Sequence, residues 1–205
     1  MNPQTADIIL RSRATVLDIL DERGYDTTIY RNIAPDQILT LAEGDQKALD
    51  MTVPKKEGSA APCPRATVLY QHREAIRLRM GTWVSRVPME DDVIVLLNEP
   101  YHEIFDKTAM QMWQNNKARV SFFHIKQLVV HPGRHVLVPP HRKLSAEEAK
   151  AEMERLHIVQ KSQLPLIKHH DIQARVLGLV PGDMVEIMRP SPTSGEARVL
   201  RVCAA

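Results

Sequence analysis

His135-Val136-Leu137-Val138-Pro139-Pro140-His141-Arg142-Lys143-Leu144-Ser145 is the stretch from which the rest of the chain is read. Ser145 with Glu148 forms a Ser-x-x-Glu capping box, so a helix begins there: each side chain satisfies a backbone donor that a helix start leaves unpaired. Ala149, Met153 and Leu156 give that helix one apolar face. Further on, Asp171 caps a second, shorter helix that Gly178 ends, because glycine takes the left-handed conformation at little cost. Pro181-Gly182-Asp183 is turn chemistry. Met184–Met188 and Ala197–Val202 read as strands around an exposed loop, Arg189–Glu196, too long for a tight hairpin. These signals together predict a small α+β module.

Upstream, Asn2 and Pro3 open a helix whose Ile9, Leu10, Val16, Leu17 and Leu20 share a face, closed by Glu22-Arg23-Gly24-Tyr25. Pro35 to Glu43 is a short helix ended by Gly44. Pro54 to Pro64 reads as a flexible surface loop whose Lys55 and Lys56 are solvated or graze nucleic acid. Val68–Tyr70, Val93–Leu97, Val120–Phe123 and Leu128–Val130 are strand-like runs. Between them, His72–Met80 and the face Ile104, Phe105, Thr108, Met112 and Trp113 read as helices. This alternation predicts an α/β domain over residues 1–130 and a second domain over 131–205, with the break at Pro132-Gly133.

Composition narrows the class. The chain has 205 residues, 43% hydrophobic and 25% charged, as in ordinary globular domains. Lys+Arg 27 against Asp+Glu 25 leaves a net charge of +2, with no basic cluster of the kind that grips a phosphate backbone or marks nuclear import. Cys63 and Cys203 make neither a disulfide framework nor a zinc quartet, which points to a reducing compartment. No apolar run approaches the ~18 residues of a membrane span, and the start lacks the form of a signal peptide.

Enzyme chemistry finds little footing. His124, His131, His135 and His141 suggest a metal, but zinc needs ligands converging at about 2 Å. Pro132-Gly133 prevents His131 and His135 from sharing a helix face, so these read as packing and hydrogen-bonding histidines. His169-His170-Asp171 lacks a nucleophile elbow and reads as a helix cap beside surface histidines. Cys63, between prolines, reads as a flexible exposed thiol, and Cys203 as a small apolar filler. Glu90-Asp91-Asp92 reads as solvated, and no glycine-rich phosphate loop occurs. Leu164-Pro165-Leu166-Ile167 sets apolar residues beside a helix-stopping proline, which suits a docking surface. Arg189 and Thr193-Ser194-Gly195 present donors and backbone on a loop, where another chain can pair.

The ordered motifs resemble one family, the fifth subunit shared by eukaryotic nuclear RNA polymerases, whose C-terminal half is similar to a small subunit of the archaeal polymerase. The family's His-x-Leu-Val-Pro-x-His-x-x-Leu-Ser stands as His135 to Ser145 without a gap, its Ser-Gln-Leu-Pro as Ser162 to Pro165, its Gly-Leu as Gly178-Leu179 and its Thr-Ser-Gly as Thr193 to Gly195. Glu22-Arg23-Gly24-Tyr25 is a second, weaker point of likeness. The resemblance implies an α/β N-terminal jaw-like domain beside downstream DNA, plus a small α+β C-terminal assembly domain that docks on the largest polymerase subunit.

On that reading the protein is a non-catalytic subunit, without cofactor or metal, whose partners are the other polymerase subunits, with downstream DNA met only inside the complex. The candidate docking residues are His135, Pro139, His141, Leu164, Pro165, Ile167, Arg189, Thr193, Ser194 and Gly195, and His135 and His141 coincide with structural family positions. The family's Thr-Pro-Ser-Ala jaw element has only Asp106-Lys107-Thr108-Ala109-Met110 as counterpart, with the proline gone; Lys107 and Thr108 are the candidate DNA-proximal pair. Glu196 and Ile172 also depart from the pattern, where relatives often carry a basic residue and a proline. Thin N-terminal similarity points to a divergent lineage, such as that of a large DNA virus. A cellular copy is expected in the nucleus, a viral one in cytoplasmic factories or virions. Two alternatives stand beside this reading. One is a free-standing nucleic-acid module, since Pro181 to Ile187 also suits a small β-barrel, and the other a histidine-based metalloenzyme.

Overall fold

The computed structural model describes residues 3–44, 46–71 and 75–204. The chain divides into two compact units, Met1–His131 and Pro132–Ala205. Among the described residues each holds one four-stranded mixed sheet.

The first unit opens with α1 (Pro3–Glu22), which buries Ile9, Val16, Leu17 and Leu20; its expected cap, Asn2, lies outside the described residues. Gly24 follows at φ +92°. A short α2 (Thr28–Arg31) comes next, where Asp26 Oδ1 accepts from the Thr28 backbone N at 3.1 Å. Then comes α3 (Pro35–Glu43), ended at Gly44. Strands β1 (Met51–Pro54) and β2 (Arg65–Gln71) are antiparallel. After α4 (Met80–Val84), β3 (Asp92–Leu97) pairs parallel to β2. After α5 (Glu103–Asn116), β4 (Arg119–His124) pairs parallel to β3. β3 is buried at every position, which is why it reads as an unbroken apolar run rather than an alternation. On one sheet face Val93, Val95, Leu97 and Phe122 pack with Trp83 and Phe105. Phe122 centres the aromatic group, its ring 5.5 Å from Trp83 and 5.3 Å from Phe105.

Several expectations change here. Of His72–Met80, residues 72–74 lie outside those described, 77–79 form a 3₁₀ turn, and the α-helix is displaced to α4. Leu128–Val130 is not a strand. His124 Nδ1 accepts from the Lys126 backbone N (3.1 Å) while Gln127 Oε1 accepts from the His124 N (3.2 Å), a capping box that turns the chain into a 3₁₀ helix over Ile125–Leu128. The Pro54–Pro64 segment is organised rather than loose. Lys55 bridges to Tyr25, its Nζ donates to the Ala61 carbonyl at 2.8 Å, and Lys56 Nζ pairs with Asp21 at 2.6 Å. Both lysines therefore act within the unit.

In the second unit, β5 (His141–Lys143) is followed by α6 (Ala146–Arg155), β6 (Leu166–Lys168), α7 (Ile172–Val176), β7 (Met184–Ser191) and β8 (Gly195–Ala204). The strand order is β5-β7-β8-β6. The Ser145–Glu148 box caps α6 reciprocally, at 2.8 and 3.1 Å. Asp171 Oδ1 accepts from the Gln173 N at 2.8 Å to start α7, and Gly178, at φ +62°, follows its end. Alternation splits the sheet into two faces. Met184, Leu200 and Val202 pack with Leu144, Ala149 and Leu164 on the α6 side. Val185, Ile187 and Cys203 pack with Ile167, Ala174 and Leu179 on the α7 side. Leu156 is not part of the α6 core; it is the exposed C-cap residue.

The Arg189–Glu196 loop is shorter than expected. β7 and β8 stay paired out to Ser191 and Gly195, leaving only residues 192–194 as the turn. Pro190 sits inside β7, where a proline is tolerated only if its position asks for no donor. β5 covers β7 only at Val185–Ile187. Met188 N, on the outer side, donates to the Pro140 carbonyl at 3.1 Å. Two residues on, Pro190 points the same way, to an open edge where no N–H is needed.

Candidate interaction surface

The first unit gathers charge at the start of its parallel strands. Asp91 and Asp92, read as solvated, are each only 2% exposed. Arg23 reaches Asp92 with Nη1 at 2.9 and 3.0 Å, and the Tyr25 hydroxyl donates to the same carboxylate at 3.4 Å. Asp91 accepts from Thr67 Oγ1 at 2.7 Å and from Arg65 Nε at 3.2 Å. Burial, then the Asp92 charge, pushes the Tyr25 phenol far above its ordinary range. The motif Arg23-Gly24-Tyr25 is therefore a buried lock between the end of α1 and the start of β3. Gly24 must be glycine there, because a Cβ would lie 2.1 Å from Ser59 Oγ. Cys63 is half-buried rather than exposed, and its thiol is raised by burial. A pocket of about 530 Å³ lies elsewhere in this unit, lined by Leu69, Ile76, Trp83 and Val87 together with Lys47, Arg79 and Arg86.

Of the DNA-proximal pair, Lys107 is exposed and pairs with Glu103 one helical turn away at 3.4 Å. Thr108 does not reach the surface: it is 6% exposed, on the α5 face that carries Phe105 and Met112. The stripe Phe105, Thr108, Met112 fixes which way the residue faces.

The histidines serve the backbone. His135 Nδ1 accepts from the Leu137 N at 3.2 Å. His141 Nδ1 lies 2.6 Å from the Pro139 carbonyl, which can only accept, so the ring donates from that nitrogen. His131, buried, sits 3.4 Å from a Glu22 carboxylate oxygen. Among the described residues no group of His, Cys, Asp or Glu gathers as a metal set. No helix there is long and apolar enough to cross a membrane.

The α7 face of the second unit is the more open one. A groove of about 440 Å³ runs over it, lined by Leu137 and Pro139 from the loop before β5, by His141 at the start of β5, by Ile172 and Gln173 of α7, and by Ile187, Arg189, Val199 and Arg201 of the hairpin. Pro139, His141 and Arg189, named from sequence, meet here, and Ile167 forms part of the wall. His135 is exposed and braces the same loop. Leu164 and Ile167 are core residues, on the α6 and α7 sides respectively. Around Pro165 the apolar side chain left in solvent is Leu166, because a strand alternates and only Ile167 points inward. Thr193, Ser194 and Gly195 are exposed at the hairpin tip. Sequence reasoning passed over Val136 and Leu137, which are 92% and 83% exposed; two apolar residues inside a loop held by histidines were the available signal.

The opposite face carries a ladder of charge. Arg142 of β5 pairs with Glu148 of α6 at 2.6 Å and with Glu186 of β7 at 2.9 Å. Arg198 of β8 pairs with the same Glu186 and with Glu152 at 2.9 Å. Glu186 is held below the usual carboxylate range by its hydrogen bond to Arg198, then by Arg142. Glu148 and Glu152 are likewise lowered, chiefly by Arg142 and by Arg198. Cys203, inside the α7-side core, is pushed up to about 12, by burial first.

Residues 130–203, which span almost all of this unit, match the family model described as RNA polymerase Rpb5, C-terminal domain. A subunit Rpo5 of DNA-directed RNA polymerase from Pyrococcus abyssi is 51% identical over 69 residues, 34% of this chain and 83% of the relative. The chain belongs to the Rpb5/Rpo5 family. Its similarity extends beyond the C-terminal unit. The Dictyostelium discoideum protein named DNA-directed RNA polymerases I, II, and III subunit rpabc1 is 27% identical over 198 residues, covering 95% of this chain and 96% of the relative. A second archaeal Rpo5, from Sulfurisphaera tokodaii, is 41% identical over 75 residues, 88% of that protein. The Rpb5 C-terminal match takes in the braced loop, both helices and the β7–β8 hairpin, so the groove is built wholly from family sequence.

Proposed function

We propose that the chain is a non-catalytic subunit of a multisubunit DNA-directed RNA polymerase, docking through its C-terminal unit on the largest subunit. Family membership carries this reading: relatives from a eukaryote and from archaea are named as subunits of that enzyme. Its N-terminal α/β unit then serves as a jaw-like element near downstream DNA, with nucleotidyl transfer carried out by the large subunits. The near-neutral charge suits a protein that meets DNA inside a complex rather than alone. Lys107 is the exposed candidate for such proximity. The loop containing His135, Pro139 and His141, with Arg189 and the Thr193–Gly195 tip, forms the docking side. The place of action follows the polymerase: the nucleus for a cellular eukaryotic enzyme, a cytoplasmic factory or the virion for a viral one.

Affinity purification through a tagged copy of this chain tests the proposal. Recovery of the polymerase subunits in equal amounts is the expected result. Recovery of a free monomer only, from cells in which the polymerase is intact, contradicts it.

A further inference from the structure

The pocket of the N-terminal unit opens where β2 outruns its neighbour. β1 pairs with β2 from Pro54 against Arg65 to Met51 against Val68 and stops there, while β2 continues along β3 as far as Gln71. Leu69 and Gln71 lie on the sheet face that also carries their partners Val95 and Leu97, and both line the pocket. The five-residue α4 is only about 7.5 Å long, and a cavity of about 530 Å³ remains beside it. That volume falls in the range of small-molecule sites, roughly 300–1,000 Å³. It also lies at the carboxyl end of β2, the end at which open α/β sheets leave a crevice for ligands.

The lining divides by chemistry. Ile76, Trp83 and Val87 are buried and make an apolar floor beside Leu69. Three cations join them: Lys47 from the 3₁₀ turn Gln46–Leu49, Arg79 just before α4, and Arg86 two residues after it. All three are exposed residues, so they stand at the mouth rather than on the floor. Among the described lining residues the acid is Asp50, and its Oδ1 accepts from the Tyr70 N at 2.8 Å where β1 has ended. Glu99 Oε1 accepts from the backbone N of Ile76 at 2.7 Å and of Arg77 at 3.2 Å, which fixes the segment that leads through Arg79 into α4. Cations of one sign around a concave apolar floor focus a field on it. From this we propose that the pocket binds a small phosphate monoester carrying a flat, largely apolar ring body of up to nucleotide size. The ring lies on Ile76, Trp83 and Val87, and the phosphate meets Arg79, Arg86 and Lys47. A guanidinium fork takes two oxygens of a phosphate at once, and a dianion matches three cations less one carboxylate. The inference goes beyond the subunit reading and does not depend on it.

The test uses the full-length chain with Trp113→Phe, which leaves Trp83 as the remaining tryptophan of two, so that fluorescence reports from the pocket floor. The probes are adenosine 5′-monophosphate, phenyl phosphate, inorganic phosphate and benzyl alcohol. Both esters are expected to change Trp83 emission saturably, with a dissociation constant below about 1 mM. The tighter of the two tells a nucleotide from a smaller aryl ester. Inorganic phosphate and benzyl alcohol, each with half of the chemistry, are expected to bind at least about tenfold more weakly. Arg79→Ala and Arg86→Ala should each weaken the esters about tenfold, the scale of one charge-assisted hydrogen bond. Lys150→Ala, at an exposed cation of α6, should leave them unchanged. Thermal melts verify the fold of every variant, and the four-probe series needs none of the alanine variants. Absence of saturation by either ester overturns the inference. So does inorganic phosphate binding as tightly as the esters, or an equal loss with Lys150→Ala. Binding of a DNA duplex that depends on Arg79 and Arg86, with no binding of either ester, overturns it in favour of a nucleic-acid surface.

Discussion

Arg23 and Gly24 show how neighbouring residues constrain one junction in different ways. Arg23 and Asp92 form an ion pair with side chains 4% and 3% exposed. Removing one partner leaves a buried charge uncompensated. Arg23→Ala is therefore predicted to destabilise the N-terminal unit by about 3–5 kcal/mol, read as a lower denaturation midpoint. Arg23→Leu with Asp92→Leu should recover much of that loss. Gly24 acts through backbone shape: at φ +92° and with Ser59 Oγ where a Cβ would sit, Gly24→Ala both strains the chain and displaces Ser59. Ser59 Oγ also accepts from the Ala61 N at 3.0 Å, so that bond is disturbed too. A loss of about 1–3 kcal/mol is expected in the same denaturation measurement. Neither effect was legible beforehand in Asp91 and Asp92, which read as solvated because their partners Arg23, Arg65 and Thr67 lie far away in sequence.

Elements whose signals are local were readable, and those that depend on a distant neighbour were not. The cap of α6 is written within Ser145–Glu148 and that of α7 within Asp171–Gln173. The β7–β8 hairpin was read as shorter strands with a longer loop. Whether Pro190 breaks a strand depends on where β5 ends, and nothing local to Pro190 records that. The docking residues divide the same way: proline beside apolar residues was visible at Leu164–Ile167, but the side chains facing the core were set by β6 pairing with β8. Across the α6 face, the ladder Glu148–Arg142–Glu186–Arg198–Glu152 ties the helix to β5, β7 and β8. Its carboxylates have folded pKa values below their unfolded ones, so their stabilising contribution is present above the ordinary carboxylate value, about 4.3, and is lost as pH falls through the lowered values. The ladder's contribution to the melting temperature of the C-terminal unit is predicted to hold above about pH 5 and to be lost below about pH 4. Arg142→Ala and Arg198→Ala should shrink that acid-dependent fall in a melting series against pH.

At the scale of the whole molecule, the two units, each with its own sheet, dispose their charge and apolar surface differently. The N-terminal unit buries both faces of β3 and locks its charges inside. The C-terminal unit covers one sheet face with α6 and leaves part of the other to the groove. That asymmetry underlies the proposal that the α7 face is the one a polymerase subunit covers. Hydrogen–deuterium exchange of the chain, free and within purified polymerase, tests it most directly. The account predicts new protection over residues 135–141 and the outer half of the β7–β8 hairpin, with the solvent side of α6 unchanged. Exchange at the loop and hairpin that is identical in the two states contradicts it.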